Sequence, residues 1–327
     1  MSRIHVHRSI ISVATVAALF WSPVALGDAV VDWNAIAVDA IQKASPARPG
    51  PVGFLDAAVV QAAVYDAVQA IGGRYKPYRI EIQAGSGSPD AAAAKAAHDV
   101  LVSILPAQAA SLETAYRDYL TKKALPETDP GVAVGQKAAA GIIALRANDG
   151  RAPNPPPAPF AGETKSGMWR PTTSYQPGAP PSNSPMAGPW LGAVPAFTLQ
   201  SGDQFRAKPP PTLTSERYTK DYNEVKALGA FSNSARTEQQ TQLALFYAGL
   251  NVDIWYRPLR EMAAKHVDKI DDSARLMALG SLAIADAVIT CWDSKKHYVF
   301  WRPITAIQEV RMTATRQRLA TRLGSLW

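Results

Sequence analysis

Of the 26 prolines in this 327-residue chain, 15 fall between positions 151 and 212. A ring-fixed φ and a missing amide hydrogen bar regular helix from such a stretch and discourage strand pairing equally. The same stretch holds Phe160, Trp169, Tyr175, Trp190, Phe197 and Phe205, too many aromatic side chains for a free linker. It reads as an ordered arm that wraps the body of the protein. On either side the chain is rich in alanine and carries apolar residues at helical spacing, which favours helices over strands. The expected fold class is all-α, a helical bundle with a long proline-rich arm.

Before the arm, helices are expected from Asp32 to Ala44, from Val52 to Ile71, from Pro89-Asp90 through Leu105, from about Ala107 to Lys123, and from Asp129-Pro130 to Asp149-Gly150. An acid followed by proline is a helix-start signal, and the mostly short links favour an antiparallel bundle. After the arm, helices are expected from Ser215 to Ala230 and from Thr237 to about Tyr256, where Arg257-Pro258 forces a break or kink. A last helix, capped by Asp272-Ser273, is expected to run through Asp293. No internal repeat, glycine-rich phosphate loop or metal-spaced Cys/His cluster is visible.

The formal net charge is +7, but two of those charges lie in residues 1–27 and three in residues 312–327, which leaves +2 for 28–311. A near-neutral body argues against a nucleic-acid binder. Arg3 and Arg8, the apolar run from Ile10 to Trp21, and Ala25-Leu26-Gly27 are laid out like a secretory signal cleaved before Asp28. Export to the periplasm or medium is therefore expected. The apolar run is too short for a stable membrane span. Cys291, the single cysteine, permits no internal disulfide.

The segment Lys295-Lys296-His297-Tyr298-Val299-Phe300-Trp301-Arg302-Pro303 places a lysine and an arginine seven residues apart. On one helix face they would stand roughly 10 Å apart, within reach of a shared tetrahedral anion. A guanidinium offers a planar fork of donors and an ammonium a compact movable charge. Pro303 biases the residue before it away from α conformation, so the helix is expected to end or kink at Trp301 or Arg302.

With its flanks Ala285-Asp286-Ala287, Cys291-Trp292-Asp293 and Ile304-Thr305-Ala306-Ile307, this K-x-x-x-x-x-x-R-P segment resembles the first signature block of the vanadium-dependent haloperoxidase and type-2 phosphatidic acid phosphatase superfamily, in its bacterial haloperoxidase-related branch. Ala63-Val64-Tyr65-Asp66-Ala67-Val68, Phe197-Thr198-Leu199, Leu213 to Ala230 and Arg236-Thr237 are similar to the same branch, so the resemblance covers most of residues 30–311. It implies Lys295 and Arg302 as the catalytic pair, holding vanadate oxygens, with Trp292 and His297 as substrate-binding candidates. It also implies vanadate as cofactor, with halide and hydrogen peroxide, or small phosphate esters, as partners. In that chemistry a positioned lysine polarises bound peroxide so that halide is oxidised.

The family's further blocks, P-S-G-H and S-R-x-x-x-x-x-H-x-x-x-D, do not occur here, so the histidine that would ligate the metal directly is absent. Met312 to Trp327 carries three arginines and no acid. Its codons permit, in the neighbouring frame, an acidic proline-containing segment of the family's type. A frameshift near Arg311 and an incomplete second, catalytic bundle are expected. The expected organisation is a signal at 1–27, a helical bundle at 28–150, the arm at 151–212, the helical start of the catalytic domain at 213–311 and a frameshifted tail at 312–327. The expected function is a haloperoxidase-like protein that is inactive in this form. The alternatives are an acid phosphatase of the same superfamily and a non-enzymatic exported helical protein; under any of these readings a homo-oligomer stays open. Lys296 reads as a surface charge, His98 and His266 as structural or solvated, and Tyr65-Asp66 has no chemical role assigned.

Overall fold

A computed structural model describes residues 27–48, 51–83, 87–174, 182–248 and 252–310. The expected signal (save Gly27), the tail from 312 and Tyr175 lie outside them. The fold is helical. Its centre is α2 (Val52–Gly72), apolar on all sides and buried along nearly its whole length, as a helix without a polar face must be. By length and hydropathy α2 and α9 (Ile270–Tyr298) are each long and apolar enough to cross a membrane, yet α2 is the core around which α1 (Ala29–Gln42), α3 (Pro89–Ile104), α5 (Pro130–Arg146) and α9 pack.

Caps set the helix boundaries. Asp28 accepts the Val30 and Val31 amides at 3.1 Å each, so α1 begins at Ala29 and not at Asp32. Ser88 and Asp129 cap α3 and α5, each with proline in the first turn. At the other end of α2, Gly73 (φ +63°) turns the chain out through its amide bond to the Gln69 carbonyl, 2.8 Å. The α3 and α5 backbones approach so closely that a Cβ on Gly135 would lie 2.3 Å from the Ala92 carbonyl oxygen. Alanines along α3 complete that seam. A 3₁₀ turn at Pro106–Gln108 leads into α4 (Ala109–Lys122).

Buried charges tie the arm to this bundle. Asp56, fully buried on α2, accepts Arg48 Nε and Nη2 at 2.7 and 3.0 Å and Arg151 Nε at 2.9 Å. Asp149 accepts Arg146 Nε at 2.9 Å and Arg151 Nη1 at 2.8 Å. Further along, Leu191, Val194 and Phe197 are buried, and a 3₁₀ turn at Leu191–Ala193 lies on α9. Phe205, in contrast, is 66% exposed, so not every aromatic of the arm anchors it. Pairing within the arm also occurs against expectation. β1 (Thr172–Ser174) and β2 (Ser182–Ser184) form an antiparallel ladder with Thr173 opposite Asn183. Both three-residue strands are free of proline, which flanks them at 171 and 185.

Beyond the arm, α6 (Glu216–Leu228) and α7 (Glu238–Tyr247) contain no buried residue. The single helix expected from Thr237 to Tyr256 is two, because α7 stops at Tyr247 and α8 (Asp253–His266) starts afresh. Pro258 lies inside α8 without breaking it. Asp253 pairs with Arg257 at 2.6 Å and with Arg260, stitching the first two turns across the missing amide. The last helix, α9, starts at Ile270 behind Lys269, earlier than the expected Asp272-Ser273 cap. Asp271 and Asp272 sit in its first turn, where carboxylates oppose the helix dipole.

Candidate functional site

The expected cation pair sits where α9 ends. Helix geometry stops at Tyr298, three residues before Trp301, and Val299 turns into the left-handed region at φ +47°. A β-branched residue takes that conformation only when its surroundings over-determine it. Here the Trp169 amide donates to the Val299 carbonyl at 2.6 Å and the Trp301 amide to the Gly167 carbonyl at 3.0 Å, bridging Met168 to Phe300. Helix resumes over 303–310 with Pro303 in its first position, and the Arg302 carbonyl accepts the Thr305 amide at 2.9 Å. Lys295 and Arg302 therefore do not share one helix face.

Their surroundings differ. The Lys295 ammonium stands 3.5 Å from the centre of the Trp292 ring and lines a cavity of about 830 Å³. Trp292 is buried and donates its indole N–H to the Ala187 carbonyl at 2.6 Å. Arg302 turns toward the arm, with Nη1 donating to Thr172 Oγ1 at 2.8 Å, Nη2 to the Pro185 carbonyl at 3.3 Å, and its guanidinium carbon 5.3 Å from the Trp169 ring centre. Burial lowers its pKa from the ordinary arginine value. Arg302 is not among the residues that line the 830 Å³ cavity.

The other candidates are dispersed. His297 is exposed and meets Tyr298 edge-on at 4.7 Å. Lys296 and His266 are exposed. His98 is buried in α3, its Nδ1 2.8 Å from Asp99 Oδ1 and its ring 4.9 Å from that of Tyr116. Among the described residues, no three His, Cys, Asp or Glu side chains are grouped so as to hold a metal ion.

Two buried aspartates, only the second of them on the cavity lining, gather backbone amides from other segments, a role not assigned to them above. Asp66 on α2 accepts the amides of Tyr78, Arg79 and Ile80 at 2.5, 3.1 and 2.9 Å. Burial raises its pKa, and those three bonds oppose the rise. Asp286 on α9 accepts the amides of Phe197, Thr198 and Leu199 at 2.6, 2.8 and 3.3 Å, and the Thr198 hydroxyl at 2.5 Å. The signal that could have found both is an acid inside an apolar helical run, which must be satisfied by donors from elsewhere.

Comparison with known proteins agrees with this architecture. Residues 275–320 match the family described as the VCPO second helical-bundle domain. The vanadium chloroperoxidase of Curvularia inaequalis is 28% identical over 35% of this chain and 22% of its own length. A bacterial vanadium-dependent iodoperoxidase aligns with a TM-score of 0.71 at 21% identity, over 85% of this chain and 72% of that one. A bacterial vanadium-dependent chloroperoxidase, in its apo form, aligns with a TM-score of 0.62 at 20% identity, over 80% of this chain and 65% of that one. The chain thus spans about a fifth of the curated relative's length.

Proposed function

We propose that the chain is a relative of the vanadium-dependent haloperoxidases that carries the first part of their oxyanion machinery, Lys295 and Arg302, but has negligible turnover with the residues it contains. The single observation behind this reading is that the guanidinium is engaged by Thr172 and the Pro185 carbonyl of the arm, while the ammonium lies on the Trp292 ring. Preorganised donors must converge on one point to stabilise an oxyanion. A guanidinium turned to a hydroxyl and a carbonyl of the arm, with no His, Cys, Asp or Glu group placed to hold a metal among the described residues, does not fit a vanadate cage.

What these residues can do is narrower. Lys295 can present a positive charge at the cavity wall, and Arg302 holds the junction of α9 with the arm. Halide oxidation and phosphate-ester hydrolysis both need the same convergent donors, so the same deficit applies to the phosphatase reading. Residues 1–27 act as a signal that directs the chain to export. The purified chain, supplied with vanadate, peroxide and bromide or iodide, and separately with a phosphomonoester, is expected to give no turnover above the protein-free rate. Vanadate-dependent halide oxidation that disappears in Lys295→Ala would overturn the reading.

A further inference from the structure

The cavity beside Lys295 is built independently of the cation pair. Its floor is one stripe of α9, running through Ala283, Ala287, Cys291 and Lys295, each four residues after the last, as on a single helix face. Its wall is the arm segment from Thr198 to Pro210, whose Leu199 and Phe205 supply apolar surface. That wall is pinned at both ends. Asp286 clamps residues 197–199, as described, and farther on Arg206 makes a two-pronged bond to Asp293 at 2.6 and 3.0 Å. The Ala207 amide also donates to Ser294 Oγ at 3.2 Å, and the Tyr298 hydroxyl to the Ala207 carbonyl at 2.7 Å. The groove therefore exists before any ligand arrives.

Its charge is polarised along its length. Lys295 and Lys208 border one end, and among the described residues neither forms an ion pair. Asp286 is the one carboxylate on the lining, and its oxygens are occupied by four donors. It lies nine residues from Lys295, about 13.5 Å along the helix axis. An occupant that suits this groove has an apolar body laid on the alanine stripe and an anionic head between the two lysines. We infer that the groove binds amphiphilic organic anions, with an aliphatic carboxylate as the ligand class. The inference needs nothing from Arg302 and stands whether or not the chain handles vanadate.

Cys291 gives a site-specific readout in the unaltered protein, because it is the single cysteine, is exposed and lines the groove. The full chain is alkylated with N-ethylmaleimide in the presence of decanoate, decanol or inorganic phosphate, each below its aggregation limit. Decanoate is expected to slow Cys291 labelling saturably, and decanol and phosphate are not. Lengthening the carboxylate by two methylenes should tighten protection about ten-fold. Removing either lysine, in Lys208→Ala or Lys295→Ala, should weaken it about five-fold while the helical circular dichroism is unchanged. Equal protection by decanol removes the anionic head from the proposal, and protection by phosphate removes the apolar body; either result overturns it. Labelling that slows with protein concentration in the absence of ligand assigns the groove to a second copy of the chain and overturns it as well.

Discussion

Tyr78 donates its hydroxyl to the Phe197 carbonyl at 2.6 Å, and in doing so joins two segments that are each gripped by a buried aspartate. Asp66 holds the amides of 78–80 and Asp286 those of 197–199. The core helix and the cavity helix thus fasten the link after α2 and the arm to one another. Removing Asp66 strands three donors and removing Asp286 strands four, each of which had a carboxylate acceptor. Asp286→Ala and Asp66→Ala are expected to cost about 3 kcal/mol or more each in urea-unfolding stability. Tyr78→Phe should cost about 1 kcal/mol. Because Tyr78 bridges the clamps, Asp66→Ala and Tyr78→Phe combined should fall short of the sum of the singles. Strict additivity would show that the two clamps act independently.

A second prediction concerns the charges under the arm. Asp56 is fully buried on a helix with no polar face, and both its partners come from other segments, Arg48 and Arg151. Arg151 serves both Asp56 and Asp149, and its loss leaves two buried acids each short of a partner, at a cost of about 3 kcal/mol. Arg151→Ala should lower the thermal midpoint sharply, and Arg151→Ala/Asp56→Ala together should recover part of the loss. Arg48→Ala should cost less, since Arg48 bonds Asp56 alone whereas Arg151 also bonds Asp149 and the Arg146 carbonyl. A double variant no more stable than Arg151→Ala would refute the network account.

Much of this fold was legible because the signals were local. Ser88, Asp129 and Ser215 mark helix starts through short-range capping, and α2 declares itself by twenty-one residues without a polar face. What escaped was set at a distance. The end of α9 at Tyr298 depends on Trp169 and Gly167, about 130 positions away in sequence, which hold Val299 at positive φ. Pro258 gave a break signal that the Asp253 bonds to Arg257 and Arg260 override. The site was legible as a motif but not as a geometry. Pro303 put the pair on a helix end and the turn after it, as found, but nothing local to the motif told of Thr172 and Pro185 of the arm, which accept from Arg302. The roles of Asp66 and Asp286 were hidden for the same reason, since their partners are backbone amides that carry no sequence signature.

The N-terminal edge of the bundle should respond to pH. Burial raises the Asp32 pKa to about 6, with Lys123, 3.8 Å away, opposing the rise. A carboxylate with a folded pKa above its unfolded value favours the fold most below the unfolded pKa. That contribution is lost as pH climbs from about 4 to about 6. At pH 7 the ionised Asp32 is a liability, so Asp32→Asn should raise stability there by about 1–2 kcal/mol after allowance for solvent screening. At pH 4 the advantage should vanish. Thermal melts of both proteins across that range give the test, and a gain that persists at pH 4 would point to packing as its source.

The last prediction separates the two members of the cation pair by what each contributes to the fold. Arg302 is half-buried and bonded to Thr172 Oγ1 and the Pro185 carbonyl, in stacking range of Trp169. Its removal leaves a hydroxyl and a carbonyl without their charged donor, at about 1.5–3 kcal/mol. Lys295 is exposed, and its contact with the Trp292 ring is worth about 0.5–1 kcal/mol. Arg302→Ala should therefore unfold at lower urea than Lys295→Ala. Arg302→Lys should recover little, because an ammonium cannot reproduce the planar fork that reaches both oxygens. If the guanidinium instead stood ready for an anion, Arg302→Ala would leave stability untouched, and added vanadate would protect the parent chain but not this variant against urea. The arm contacts of Arg302 favour the first outcome.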